Sequence, residues 1–223
     1  MKINLGVLQE FIKEANQLQR NKEYSFNFDE FSFENLLKFF YLYHLQDNGY
    51  LIKVTANFDK NFIAADVNNP FDLKEKISQT FAYFLGELLD NVKEHSHTNR
   101  AYIFHNINDN EILGVFDAGI SIQIRYKEVG IQFKEPKEAI KMAISGISAK
   151  TKEERGYGLS SIIKITQALN GEFLLISGEG IFYLNNNENF IDNLSFFWPG
   201  TSVIIKSIKP KENFNFLEFI KWL

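Results

Sequence analysis

The sequence contains no cysteine, and this absence excludes disulfide bonds, thiol catalysis and thiolate metal sites. It also contains no long basic block, and its formal net charge is -4, so we expect neither nucleic acid nor an anionic membrane as a direct partner. No apolar run is long enough to span a bilayer, and the opening residues MKINLGVLQEFIKE are too polar for a secretory signal. We therefore expect a soluble, cytoplasmic protein.

The apolar residues are numerous enough for a folded core. Hydrophobic residues make up 45% of the 223 residues and charged residues 23%, which is typical of a globular protein of one or two domains. The turn NNPFD predicts a boundary between residues 1–70 and residues 71–223. Before it, residues 5–18 have helical spacing, EYSFNF and YLIKVTANF predict strands, and FSFENLLKFFYLYHLQ predicts a second helix capped by Ser32 or Asp29. The first part is therefore expected to be a small α/β unit.

The second part is expected to be an α+β domain. A long helix is predicted for residues 72–96, with Asp72 as its N-cap, and a hairpin follows from AYIFHNI and EILGVFDA around an NDN turn. Residues 121–155 are polar and irregular apart from the helical stretch PKEAIKMAIS. GYGLSSIIKITQALNG predicts a helix, EFLLIS, GIFYLN and TSVIIKSI predict strands, and NFLEFIKWL predicts a short terminal helix. This order predicts helices covering one face of a mixed sheet.

The long helix carries a row of polar residues. In FLGELLDNVKEHSH, Glu87, Asn91 and His95 are four residues apart and lie on one stripe of the helix, beside apolar side chains. Such a stripe could face a ligand, but a solvated helix surface shows the same pattern. Taken alone, the stripe favours the solvated surface.

Three further patches combine polar residues with glycine. Asp117 ends an apolar strand, and Gly119 next to it would let a ligand ring approach closely, although Asp-x-Gly is also common in ordinary turns. Gly156 and Gly158 precede an apolar helix whose N-terminal amides could hold phosphate, or could simply begin the helix. The set is completed by nearby positive charges and by a Gly-Thr pair before the last strand: Lys150, Lys152, Arg155, Gly200 and Thr201.

Taken in order, E-x-x-x-N, D-x-G, G-x-G-L and G-T resemble the motifs of the GHKL superfamily of ATP-binding domains, from about residue 73 to residue 208. That superfamily includes gyrase B subunits, MutL-type repair proteins, sensor histidine kinases and the anti-sigma-factor serine kinases. The resemblance implies a GHKL-type α/β sandwich, ATP and Mg²⁺ as cofactors, and a mobile lid formed by residues 121–155. One position departs from the motifs: Ser121 stands where a second glycine is usual, and serine resists positive φ.

The resemblance also implies a role for each matching residue. Asn91 would bind the magnesium ion that bridges the phosphates, and Glu87 would orient or deprotonate the nucleophile. Asp117 would accept a hydrogen bond from the adenine amino group, with Gly119 beside the ring and Thr201 joining the carboxylate to a water. The remaining matches are the second glycine box, the positive charges near it and a histidine that suits the anti-sigma branch: Gly156, Gly158, Leu159, Lys150, Arg155 and His95.

Three functions are compatible with these residues. The first is a protein serine/threonine kinase of the anti-sigma type, acting on a STAS-type or sigma-factor-like partner protein, with residues 1–70 as an adaptor or STAS-like unit. The second is an ATP-driven conformational switch that hydrolyses slowly and works by partner capture or as a homodimer. The third is a nucleotide-sensing interaction module without turnover, which Ser121 favours. The same residues serve the first two, because either water or a protein hydroxyl can meet Glu87.

Overall fold

The chain divides into two compact units with a mixed α+β architecture. A computed structural model describes residues 3–58, 61–69, 71–73, 76–108, 110–147 and 158–208. The first unit is Met1–Phe62 and the second is Ile63–Leu223. The boundary between the units therefore falls at residues 62 and 63, a few residues before the predicted position near residue 70.

The first unit contains two helices and a two-stranded sheet. Its elements are α1 (Leu5–Ala15), β1 (Tyr24–Phe28), α2 (Phe33–Asp47) and β2 (Ile52–Ala56). The two strands pair in parallel, and parallel neighbours need a crossover connection, which α2 supplies. Ser32 is the N-cap of α2, because its hydroxyl oxygen accepts a hydrogen bond from the Asn35 N–H at 3.0 Å.

Aromatic rings fill the core of the first unit. Phe39 is fully buried, and its ring centroid lies 5.3 Å from that of Phe58 and 5.0 Å from that of Phe62. Burial of these rings removes apolar area from water, which stabilises the unit. The edge-to-face and tilted ring pairs stabilise it further. The sequence is rich in phenylalanine, with 23 in 223 residues, and part of this content is used for packing in the first unit.

The second unit is a five-stranded sheet with helices packed on it. Its strands are β3 (Phe62–Asp66), β4 (Arg100–Ile107), β5 (Asn110–Asp117), β6 (Glu172–Leu184) and β7 (Asn189–Ile208), in the spatial order β3-β4-β5-β7-β6. Its helices are α3 (Gln79–His95), α4 (Ile122–Glu128), α5 (Pro136–Ile144) and α6 (Gly158–Ala168). The pairs β4–β5, β5–β7 and β7–β6 are antiparallel. The sheet is thus antiparallel instead of mixed, and the parallel pair belongs to the first unit.

One face of the five-stranded sheet packs against helices. Every second residue along the strands points to this face, where apolar side chains of four strands meet those of α3, α5 and α6: Ile103, Val115, Leu175, Val203, Phe84, Leu88, Ile140 and Ile162. Burial of such side chains stabilises the fold by about 25 cal/mol per Å² of apolar surface. The same alternation decides which polar strand residues face the helices.

The structure differs from the sequence-based expectation at the start of α3 and at the Gly-Thr pair. The helix begins at Gln79 and not near residue 72, because the N-cap is Ser78, whose hydroxyl oxygen accepts a hydrogen bond from the Phe81 N–H at 3.3 Å. The Gly-Thr pair lies inside β7, a single strand of 20 residues, and does not precede a separate strand.

The described part of the segment expected to be an irregular lid is largely helical. Residues 121–147 contain α4 and α5, and Tyr126, Ala139 and Ile140 of these helices are buried. This part of the segment is therefore packed into the domain. The rest of the expected lid and the predicted C-terminal helix lie outside the described residues. Within the residues that are described, no helix is both long and apolar enough to cross a membrane.

Candidate functional site

The polar stripe on α3 lies at the border between the core and the surface. Tyr83, Glu87, Asn91 and His95 follow one another at four-residue spacing along the helix, and each of them is partly buried. A fully solvated stripe would leave these side chains as exposed as that of Asp90 on the neighbouring face. The stripe is therefore not simply a hydrated helix surface.

Gly158, the first residue of α6, sits directly against this stripe. A Cβ atom placed on Gly158 would lie 3.0 Å from Oε2 of Glu87, and 3.6 Å and 3.8 Å from the amide nitrogen and oxygen of Asn91. Two of the predicted motifs, far apart in sequence, thus meet at the N-terminus of α6. The absence of a side chain on Gly158 leaves the backbone N–H groups of this helix end close to a carboxylate and an amide.

Three neighbouring strands bring Asp117, Thr201 and Ser177 side by side. Thr201 is opposite Asp117 in the β5–β7 pair and opposite Ser177 in the β6–β7 pair. Val115 and Val203, two positions away along their strands, belong to the core under the helices, so alternation places this polar row on the helix-covered face. The hydroxyl oxygens of Ser177 and Thr201 are 2.9 Å apart, which fixes the side chain of Thr201 towards β6.

The carboxyl group of Asp117 is almost enclosed by protein, with 6% of the residue exposed. Its Oδ1 accepts a hydrogen bond from the Gly119 N–H at 3.0 Å, and the Thr201 N–H also donates to the carboxyl group. Burial raises the pKa of Asp117 to about 7, because the charged form loses its hydration, and the two N–H donors oppose only part of this effect. A carboxylate with two such donors still has lone pairs free to accept from a ligand.

Two glycines allow the chain to close around Asp117. A Cβ on Gly200 would lie 2.0 Å from the Asp117 carbonyl oxygen, which leaves no space for a side chain. The φ of Gly200 is +63°, which also favours glycine. A Cβ on Gly119 would lie 2.0 Å from the carbonyl oxygen of Ser96, the C-cap residue of α3. The position expected beside a ligand ring therefore also has a packing reason to be glycine.

The end of α3 connects the two polar groups. The Ser96 carbonyl oxygen accepts a hydrogen bond from the Ile120 N–H at 2.8 Å, which ties the loop after Asp117 to the helix. Asn91 lies only about 7.5 Å before Ser96 along the helix axis, at 1.5 Å per residue. The group formed by Glu87, Asn91 and Gly158 and the loop after Asp117 thus border the same C-terminal turns of α3.

Two other predicted site residues lie close to this region. His95 is the next member of the stripe after Asn91, and its Nε2 is 3.7 Å from a carboxylate oxygen of Glu94. Leu159 follows Gly158 and packs against the core with a partly buried side chain. Three further predicted residues, Lys150, Arg155 and Gly156, lie outside the described residues.

Ser121 has a helix-capping role. Its hydroxyl oxygen accepts a hydrogen bond from the Ile124 N–H, which makes it the N-cap of α4, and its φ of -75° is ordinary for any residue. The missing second glycine of the D-x-G-x-G motif is thus accommodated without backbone strain, because this position begins a helix.

Two residues of the site were not singled out from the sequence. Tyr83 precedes Glu87 by one helical turn, and Ser177 ends the apolar run EFLLIS much as Asp117 ends VFD. The helical spacing and the polar residue at a strand end are weak signals of their own. Both residues belong to the site because each contacts a residue far away in the chain, Ser161 for Tyr83 and Thr201 for Ser177.

No protein-family model, curated protein or solved structure matches the chain.

Proposed function

We propose that the second unit binds ATP together with Mg²⁺ in the manner of a GHKL domain, and that the protein is a cytoplasmic serine/threonine kinase of the anti-sigma type. The observation that carries this proposal is the meeting of Glu87 and Asn91 with Gly158, beside the loop of Asp117. The triphosphate would lie near the carboxylate, the amide and the helix N-terminus. The adenine ring would lie near the buried acceptor, Asp117.

The purine would be recognised by the polar row on the sheet. The Asp117 carboxylate has lone pairs left to accept a hydrogen bond from an exocyclic amino group, which adenine has at its 6-position and guanine lacks there. Ser177 fixes the hydroxyl of Thr201 beside it at 2.9 Å. A buried carboxylate without enough donors is costly. Asp117 therefore favours a purine that donates a hydrogen bond to it.

The residues near Gly158 fit a hydrated magnesium ion bound to phosphates. In the described part of the chain, no group of three or more histidine, aspartate or glutamate side chains could hold a metal ion unaided. Mg²⁺ keeps several waters and takes oxygen ligands from phosphate, so the single amide oxygen of Asn91 suffices as protein ligand. When bound, the ion neutralises charge on the phosphates. The N-terminal N–H groups of α6 would contribute in the same direction.

Glu87 would act as the base of the reaction. Its carboxylate lies within 3.0 Å of the position where a Gly158 Cβ would be, at the place assigned to the phosphates. A carboxylate there can orient a hydroxyl and take its proton as the phosphoryl group is transferred. The acceptor would be a serine or threonine of a partner protein, and the first unit, with its parallel β–α–β crossover, is a candidate adaptor or STAS-like unit.

Calorimetry with ATP in the presence of Mg²⁺ tests the binding proposal. We expect saturable binding that weakens when Mg²⁺ is removed and when GTP replaces ATP. Absence of ATP binding by the folded parent protein would refute the proposal as a whole.

Incubation with ATP labelled on the γ-phosphate, with and without candidate partner proteins, tests the chemistry. Label on a serine or threonine of a partner supports the kinase. Free phosphate without labelled protein supports a conformational switch, and binding without either product supports a nucleotide sensor.

A further inference from the structure

Tyr83 connects the two helices that form the candidate site. Its hydroxyl group makes side-chain hydrogen bonds with Glu87, one turn further along α3, and with Ser161 of α6. Tyr83 is partly buried and Ser161 is 3% exposed. The tyrosine therefore lies between the proposed base and a buried hydroxyl group of the neighbouring helix.

The spacing of these residues agrees with two helix faces in contact. Tyr83 and Glu87 are four residues apart on α3, while Gly158 and Ser161 are three residues apart on α6, and each pair lies on one helix face. Glu87 contacts Gly158 and Tyr83 contacts Ser161, so both pairs meet across the same interface.

The direction of the hydrogen bonds follows from the number of protons. A phenol has one proton to donate, and an ionised carboxylate can only accept, so Tyr83 donates to Glu87. The phenol oxygen then accepts from the hydroxyl of Ser161. Burial and the negative charge of Glu87 raise the pKa of Tyr83, while the hydrogen bond from Ser161 opposes this rise.

We propose that Tyr83, supported by Ser161, is a positioning residue that holds the carboxylate of Glu87 towards Gly158. The hydrogen bond from the phenol limits the rotamers that the glutamate side chain can adopt at the edge of the helix. With it, one carboxylate oxygen is fixed by Tyr83 and the group is turned to the N-terminus of α6. The catalytic consequence of this arrangement rests on the proposed function, but the arrangement itself does not.

Nuclear magnetic resonance of protein labelled with ¹³C at the tyrosine ζ-carbon tests the arrangement without any nucleotide. The Tyr83 signal is assigned by its loss in Tyr83→Phe, and it is followed upward through the ordinary tyrosine range near about pH 10. We expect the titration midpoint of Tyr83 to fall in Glu87→Gln and to rise in Ser161→Ala. These shifts have opposite signs because the carboxylate stabilises the phenol and the serine hydroxyl stabilises the phenolate. A midpoint that stays unchanged in both variants would overturn the proposal.

Turnover measurements then test the consequence for the base. We expect Tyr83→Phe to lower kcat about ten-fold, as for loss of one hydrogen bond to a charged group, while the Kd for ATP stays nearly the same. The acidic limb of the pH–rate profile should move to higher pH, because the carboxylate loses a donor that favours its ionised form. An equal loss of kcat and of ATP affinity would assign Tyr83 to general packing and overturn the positioning role.

Tyr183→Phe is the matched control. The Tyr183 hydroxyl donates to a carboxylate oxygen of Glu172 at 2.8 Å, so this variant also removes a phenol–carboxylate hydrogen bond, but within β6. We expect kcat and the pH profile of this variant to equal those of the parent. If the parent binds ATP but shows no turnover, the kinase proposal fails, and the titration of Tyr83 alone decides the positioning role.

Discussion

Two carboxylates on the same face of β5 differ completely in their surroundings. Glu111, near the start of the strand, is fully buried, and its Oε1 is 3.0 Å from Nε2 of His105 and accepts the Ser78 N–H at 2.9 Å. Asp117, at the end of the strand, is nearly as buried but is held by two backbone N–H groups. Burial alone would raise the pKa of both groups. The His105 and Ser78 contacts lower the pKa of Glu111, whereas the pKa of Asp117 rises to about 7.

The difference separates a structural carboxylate from a candidate binding group. Glu111 has an imidazole partner and anchors the N-cap residue of α3, so its charge is used to hold the fold together. Asp117 is buried at a cost that its own backbone donors do not fully offset. A ligand that donates a further hydrogen bond would reduce this cost. The comparison therefore predicts that loss of the first carboxylate affects stability and that loss of the second affects binding.

The largest expected effect is on stability. Glu111→Ala leaves a buried histidine and a partly buried N–H without their acceptor, and we expect it to lower the free energy of unfolding by about 3–5 kcal/mol. Asp117→Asn should cost at most about 2 kcal/mol, because the amide oxygen can still accept from a backbone N–H. Urea denaturation of both variants measures the two changes.

An exposed glutamate provides the control for this measurement. Glu128→Ala removes an ion pair with Arg125 and a contact with the exposed His97, and it should change the free energy of unfolding by less than about 1 kcal/mol. If Glu111→Ala proves as mild as Glu128→Ala, the buried pair does not anchor α3, and the contrast between the two ends of β5 is lost.

The contact between Ser78 and Glu111 also explains why the start of α3 could not be predicted from the sequence. Leu73 and Ile77 continue the helical spacing upstream, which favours an earlier start. The helix begins only at Gln79, because the N–H of its N-cap residue Ser78 is bound by a carboxylate 33 residues away. The β4–β5 hairpin, in contrast, depends on local alternation and a polar turn, and its prediction is confirmed.

The same distinction between local and distant signals applies to β3 and to the candidate site. The stretch FIAAD is short and forms a strand only beside β4, which begins more than thirty positions later. Within the site, the spacing of Glu87 and Asn91 is visible on a helix model. The part played by Tyr83 depends on Ser161, and that of Ser177 on Thr201, so sequence periodicity could not reveal either contact.

The second largest effect is expected for turnover at the candidate site. We expect Glu87→Gln to lower the rate of γ-phosphate transfer or release at least about 100-fold, the usual range for loss of a general base. The Kd for ATP should change little, because glutamine keeps the shape of the side chain. Calorimetry and the labelled-phosphate assay, run on the same preparation, measure the two quantities.

Asp90→Asn is the matched control for Glu87→Gln, since Asp90 lies on the same helix with an exposed side chain. It should leave both turnover and affinity at the parent values. A variant of Glu87 that loses turnover and ATP affinity to the same degree would contradict its role as base.

A smaller effect is expected for the discrimination between adenine and guanine nucleotides. Asp117→Asn replaces an acceptor by a group that also donates, so we expect ATP affinity to fall between about ten-fold and about a hundred-fold. Discrimination between ATP and GTP should fall with it. If the ratio of the two affinities stays at the parent value, Asp117 does not contact the purine, and its burial has another cause.

The smallest effect concerns pH, and it distinguishes the two carboxylates by sign. Because the pKa of Asp117 is raised by burial from 3.8 to about 7, its contribution to stability is present below about pH 3.8 and is lost as the pH rises through about 7. Burial would raise the pKa of Glu111, but the contacts with His105 and Ser78 lower it below 4.5. Its contribution is therefore present above about pH 4.5 and is lost on further acidification.

ATP binding should report the Asp117 titration directly. The ionised carboxylate is the better acceptor for the amino group, so we expect ATP affinity to fall by about ten-fold at most between about pH 8 and about pH 6. Binding near neutral pH should then release protons, which calorimetry in buffers of different ionisation enthalpy measures. Protonation of the nucleotide phosphates is common to the parent and to Asp117→Asn and cancels between them. Equal proton release by both proteins would mean that Asp117 is already ionised before ATP binds, and the contrast with Glu111 would then not be electrostatic.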